Sequence, residues 1–153
     1  MKYYHSGLLT AALGAYLFLT TGCHSISPAN VPDPKRLVGK KQIYVVQSAL
    51  KERGFRKEIE RNLTARGLTV TFGPKDGLKP EAELFLVYED RWTWDMVMYP
   101  RQVNMAIYDA KTQELLGSVE FKNNAFHTFP DPPEITDELL GRIFGEPEGR
   151  YMK

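Results

Sequence analysis

The sequence predicts an α+β domain: a mixed, mostly antiparallel sheet of about five strands with two helices packed on one face. Three observations predict it. Phe55, Ile59 and Leu63 recur every four residues, which makes one apolar stripe on a helix. Leu139, Leu140, Ile143 and Phe144 form a second stripe near the end of the chain. The segments before and between them alternate or run continuously apolar over five to eight residues, as strands do. At 153 residues the chain has room for one ordinary domain, here residues 41–145. The Leu, Val, Ile, Phe and Met clusters between 43 and 144 suffice for a core without cross-links. The single cysteine excludes an internal disulfide.

Each element has its own signal. Residues 42–47, Q-I-Y-V-V-Q, are β-branched and aromatic and read as a strand. The helix that follows carries Arg56, Lys57, Glu58, Glu60 and Arg61 on its wet side, with Glu58 and Arg61 spaced for an i,i+3 pair. Gly67 closes it; its start stays open, with Gly54 either inside or just before it. Leu68, Val70 and Phe72 alternate with Thr69, Thr71 and Gly73 as a second strand, and strand–helix–strand favours a parallel crossover. After a loop over 73–80, residues 82–91 are strand-like, and Leu84, Phe85, Leu86 and Val87 in succession imply burial on both faces. Pro100 is expected to interrupt. Residues 103–108 and 115–122 then alternate as a hairpin with one wetter face. Its turn, D-A-K-T-Q, places Asp109 to accept backbone donors and Gln113 where glycine is usual, so strain or a different turn is expected. In the last helix Thr136 reads as the N-cap, Asp137 and Glu138 as first-turn acids, and Ile135 with Leu140 as a hydrophobic staple. Gly145 ends it, and residues 146–153 read as a loose tail.

Charge excludes some partners. Lys plus Arg is 20 and Asp plus Glu 19. No positive surplus drives binding to nucleic acid, and none builds a polybasic membrane patch.

The first 22 residues read as an export leader. Lys2 is the positive start, and residues 7–19, G-L-L-T-A-A-L-G-A-Y-L-F-L, are apolar and uncharged. That run is shorter than the roughly 20 residues of a permanent membrane helix. Thr20, Thr21 and Gly22 follow, then Cys23. This order resembles the bacterial lipobox, although Leu19 stands one place earlier than the motif sets its leucine. The resemblance implies cleavage before Cys23 and a diacylglyceryl group on its sulfur. An ordinary secretory cut at the same bond and a retained anchor helix are the competing readings. His24 stands where enterobacterial inner-membrane lipoproteins carry Asp, so the resemblance implies the outer membrane, periplasmic face. Residues 23–40 contain three prolines after the cysteine and no periodicity, and are expected to be a tether.

Candidate chemistry is sparse. His127 is the one histidine of the expected domain, too few for a zinc site, and no metal or cofactor is expected. Glu89, Asp90 and Asp95 could act as paired carboxylates, but Arg91 stands ready to neutralise one and no nucleophile elbow accompanies them. No catalytic residue is assigned. In strand geometry Trp92, Trp94, Met96 and Met98 share a face. Either that face is core, the favoured reading, or Trp92, Trp94, Asp95 and Met98 form an exposed binding surface.

The stretch W-T-W-D-M-V-M-Y-P followed by V-N-M-A-I-Y-D-A-K-T-Q-E-L-L-G-S resembles an uncharacterised family of proteobacterial outer-membrane lipoproteins. Members carry a Trp-rich strand and a Tyr-Asp-Ala-x-Thr hairpin. The order of elements is also similar to small accessory lipoproteins of the lipopolysaccharide-assembly type. That family has no assigned activity; the anchor, the tether, the balanced charge and the lack of a catalytic set lead to the expectation of a lipid-anchored, non-catalytic module with the membrane and an envelope protein as partners. The resemblance assigns a role to Cys23 alone. The alternative function is lipid or glycan binding at the Trp92/Trp94 surface.

Overall fold

The computed structural model describes residues 24–31, 33–46, 54–77, 81–123 and 130–146. In chain order the elements are β1 (His24–Ile26), β2 (Gln42–Val46), α1 (Phe55–Ala65), β3 (Thr69–Gly73), β4 (Leu84–Asp95), β5 (Val97–Asp109), β6 (Leu115–Asn123) and α2 (Pro132–Ile143). The strands form one six-stranded sheet in the order β1-β6-β5-β4-β2-β3. β2 pairs in parallel with β3 and β4, and the other neighbours are antiparallel. The fold is α+β with a mixed, mostly antiparallel sheet, one strand larger than the sequence suggested.

Consecutive apolar residues at the head of β4 dictate cover on both sides, and both sides are covered. Leu84 and Leu86 join Ile43, Val45, Met105, Ile107, Val119 and Phe121 beneath the helices. Phe55, Ile59 and Leu63 of α1 and Ile135, Leu139, Leu140 and Ile143 of α2 complete this core. On the opposite face Phe85 belongs to a smaller cluster with Tyr44 and Val46. There Phe85 stacks on Tyr108 with ring centroids 4.8 Å apart, and the Tyr44 hydroxyl donates to the Pro74 carbonyl at 2.8 Å.

Gly54 proves to be the N-cap of α1, outside the helix. Both helices end in the same way. Leu68 N donates to Leu63 O and Gly67 N to Thr64 O, while Glu146 N donates to Gly141 O and Gly145 N to Arg142 O. These are Schellman caps, and Gly67 and Gly145 take the left-handed φ of 80° and 72° that the motif requires. Polar groups tie the helices together. Glu58 and Arg61 pair at 2.8 Å as their spacing predicts, and Arg61 also reaches Asp137 at 3.2 Å. Asn62 donates to Asp137 as well, and Arg66 pairs with Glu146 at 2.9 Å. Burial pushes the Asp137 carboxyl up, against the pull of Arg61 and Arg66.

Three expectations are corrected. The helix α2 begins earlier than Thr136: Asp131 is the N-cap, accepting from Glu134 N at 3.1 Å, with Pro132 and Pro133 in the first turn. Proline's fixed φ and missing N–H suit that turn. Thr136 is buried inside the helix, and Ile135 and Leu140 are core residues rather than a staple. Pro100 does not end a strand. It lies within β5 opposite Trp92, next to a register shift at Arg91/Trp92 that accommodates its missing donor. Finally, the described residues of the expected tether, 24–31 and 33–40, are not free of the domain. β1 pairs with the end of β6, Asn30 exchanges backbone hydrogen bonds with Ser118, and Leu37 is buried. Ile26, Ala29 and Val31 pack against the core, so this segment covers an edge that β6 would otherwise leave open. Glu146 likewise belongs to the fold, while residues 47 and 147–153 lie outside the described residues.

The β5–β6 turn matches its sequence signal. Asp109 accepts from Lys111 N at 3.0 Å and Thr112 N at 2.9 Å, and Gln113 adopts φ 61°. A left-handed conformation costs a non-glycine residue about 1–2 kcal/mol. Gln113→Gly is expected to stabilise the fold by about 0.5–1 kcal/mol after glycine's own entropy is counted, measured by urea denaturation. The Thr112 and Lys111 N–H groups hold the Asp109 carboxyl below the usual 3.8. Its contribution is therefore complete above pH 3.8 and is lost as pH falls through the lowered value. Asp109→Asn is expected to lower stability at pH 7 and to flatten the acid limb of a stability–pH curve below 3.8.

Candidate functional site

Strands β4 and β5 stay paired to Asp95↔Val97, whereas β5 meets β6 no further out than Gln102↔Lys122. Among the described residues no other strand flanks this two-stranded arm, 92–100; Tyr99 and Pro100 within it are buried, and the exposed tip is Trp94–Met98. Along one face of this arm the apolar residues pass from buried to exposed. Trp92 is partly buried at its root, edge-on to Phe55 with centroids 6.0 Å apart, and its indole N–H donates to the Asp90 carboxylate. Trp94, opposite Met98, is 69% exposed, and Met98 is 43% exposed. At the tip Met96 is 86% exposed and holds φ 60°, with Val97 beside it also exposed.

The face that the sequence assigns to Trp92, Trp94, Met96 and Met98 is therefore divided. Trp92 packs on the core, and the outer residues are surface. Alternation along a strand fixes which face a residue takes, but not how far the covering helices reach. The carboxylates do not gather. Asp90 serves Trp92, Asp95 stands at the tip opposite Val97, and Glu89 lines the sheet face away from the helices. Cys23 and His127 lie outside the described residues.

That other face carries a groove of about 450 Å³ between the centre of the sheet and the Ser27–Asn30 segment. Glu89, Asn104, Tyr108 and Glu120 are among its lining residues. Glu120 accepts from Gln102 Nε2 at 2.6 Å on one oxygen and pairs with Lys122 Nζ at 2.6 Å on the other. The Lys122 hydrogen bond, aided by Gln102, holds its carboxyl below the usual range. Such a carboxylate is a fixed anion, poorly matched to proton transfer near neutral pH. Ser27 locks the groove wall by donating to Glu120 O and accepting from Glu120 N at 2.9 Å. Sequence reading missed this groove because its residues come from separate strands and from the supposed tether. Among the described residues no group of three or more His, Cys, Asp or Glu is placed to hold a metal ion, and no helix is long and apolar enough to cross a membrane.

No family model matches the chain, and no curated protein does. Solved structures do match in fold. The PelC dodecamer from Paraburkholderia phytofirmans is 13% identical with a TM-score of 0.52, over 84% of this chain and 100% of that one. A variant of the same PelC dodecamer gives 12% identity and a TM-score of 0.50, over 80% and 95%. TolB from Acinetobacter baumannii is 16% identical with a TM-score of 0.45, over 80% of this chain and 31% of its own. The PelC likenesses concern the fold alone.

The divided face makes a direct prediction. Trp92→Ala is expected to destabilise by about 2–4 kcal/mol, because it empties a partly buried site against Phe55. Trp94→Ala is expected to change stability by less than about 0.5 kcal/mol, as for an exposed position. Chemical denaturation of the two variants measures both.

Proposed function

We propose that this chain is a lipid-anchored lipoprotein of the bacterial envelope that acts by contact rather than catalysis. One observation carries the reading: Lys2, the uncharged run over 7–19, the small residues 20–22 and then Cys23. One acyl chain holds a protein to a membrane only marginally, and the two of a diacylglyceryl cysteine hold it stably. His24 after the cysteine favours the outer membrane, periplasmic face. The fold is consistent with such an anchor, since β1 begins at the very next residue. The acids nearest the conspicuous features are separated or engaged by partners, which suits an accessory or interaction module. The dodecameric assembly of the PelC neighbours makes self-association of this chain worth measuring by light scattering. A second reading, lipid or glycan binding at the Trp92/Trp94 surface, draws support from the exposure of Trp94.

Intact-mass spectrometry and membrane fractionation test the anchor. The mature wild-type protein is expected to start at residue 23, to carry the mass of at least two acyl chains and to sediment with membranes. Cys23→Ser is expected to lose the added mass. An unmodified thiol at position 23 in the wild-type protein overturns the reading.

A further inference from the structure

Strand register places the start of the described chain and the apolar arm at one end of the sheet. His24 is opposite Asn123, Lys122 is opposite Gln102, and Gln102 is opposite Arg91. The backbone therefore enters β1 at the level where the arm leaves the body of the sheet. From Trp92 to Met96 the arm extends roughly 13 Å further in the same direction, at about 3.3 Å per residue. Position 23 lies one Cα step, about 3.8 Å, before His24. Sideways, β1 and β5 are separated by β6 alone, about 10 Å in all.

We propose that the tip of the β4–β5 hairpin, Trp94, Met96, Val97 and Met98, dips into the bilayer that holds the acylated Cys23. This rests on the anchor proposed above and adds a second, non-covalent contact with the lipid. An acyl chain attached so close to β1 leaves almost no slack, so the sheet end stands near the headgroups. The exposed part of the arm, from Trp94 to Met96, is about 7 Å long and matches the roughly 5–10 Å to which interfacial elements bury their apolar faces. The chemistry fits the same zone. Trp94 suits the headgroup boundary, and the exposed Arg91 and Arg101 sit at the root of the arm where phosphates would lie. Asp95 beside the tip restricts it to the interface and keeps it out of the hydrocarbon centre. The left-handed Met96 presents its side chain at the outermost point of the turn, where glycine would relieve the backbone but contribute no apolar surface.

The test uses the full acylated chain, in which the single native cysteine is occupied by lipid and an added one can be labelled alone. Met96→Cys, and Lys111→Cys in the turn at the far end of the sheet, each receive an environment-sensitive fluorophore. The proteins are reconstituted into phosphatidylethanolamine–phosphatidylglycerol vesicles, with or without nitroxide-bearing acyl chains. The label at 96 is expected to shift to the blue and to be quenched severalfold by the nitroxide lipid; the label at 111 is expected to do neither. Trp94→Ala in the Met96→Cys background is expected to reduce that quenching. A protein that sediments with the vesicles while its label at 96 stays in water overturns the insertion and leaves the anchor standing. Failure of the wild-type chain to sediment overturns the anchor, and the insertion with it. A concentration-dependent blue shift in lipid-free Cys23→Ser protein assigns the tip to a second copy of the chain and also overturns the proposal.

Discussion

The pairing of β4 with β5 is the constraint from which the other elements take their positions. Its register runs unbroken from Leu84↔Asp109 to Arg91↔Gln102 and resumes at Trp92↔Pro100. A slip of one residue would turn Leu84 and Leu86 away from the helices and put Phe85 beneath them. With that ladder fixed, β2 docks in parallel on one side and β6 returns on the other. The irregularity at Arg91/Trp92 does more than tolerate a proline. Past it, Trp92 and Pro100 again oppose each other, so one apolar face runs from Phe55 out along the arm.

The opposite end of the sheet is held by charge. Glu83 accepts from Lys41 N at 2.7 Å and Gln42 N at 3.2 Å, which depresses its carboxyl pKa. Arg36 reaches Glu114 at 2.8 Å, and Lys40 lies 3.9 Å from Asp109. These groups keep part of their surface in water, so each contact is individually weak. Their joint effect is positional: they pin the segment between β1 and β2 beside the β5–β6 turn. The molecule thus has a polar end stitched by ion pairs and an apolar end that projects.

Most of the fold was legible because local rules and tertiary packing agree. The α1 stripe, the two-sided burial at 84–86, the β5–β6 alternation and the Gln113 conformation all follow from periodicity or turn chemistry. Where the reading failed, residues obeyed a rule other than the one applied. Asp131 with two prolines is a helix start, yet Thr136 followed by Asp137 and Glu138 carries a similar local signal. The prolines of residues 24–40 suggested a tether, although edge strands tolerate proline and Ile26, Val31 and Leu37 were available to pack. The arm was half legible. Its facial pattern was in the alternation, but the exposure of Trp94 depends on where α1 and α2 stop, which no local pattern encodes. The groove was illegible, since Ser27, Glu89, Asn104 and Glu120 come together only through strand order.

The tie between β1 and β6 bears on how the chain folds. Ser27 and Glu120, which exchange hydrogen bonds, stand 93 positions apart. The β4–β5–β6 meander closes from near neighbours in the chain. The leading strand can pair only after β6 is in place. Until then β1 lacks its partner strand, so this edge of the sheet depends on the most distant strand pairing in the chain.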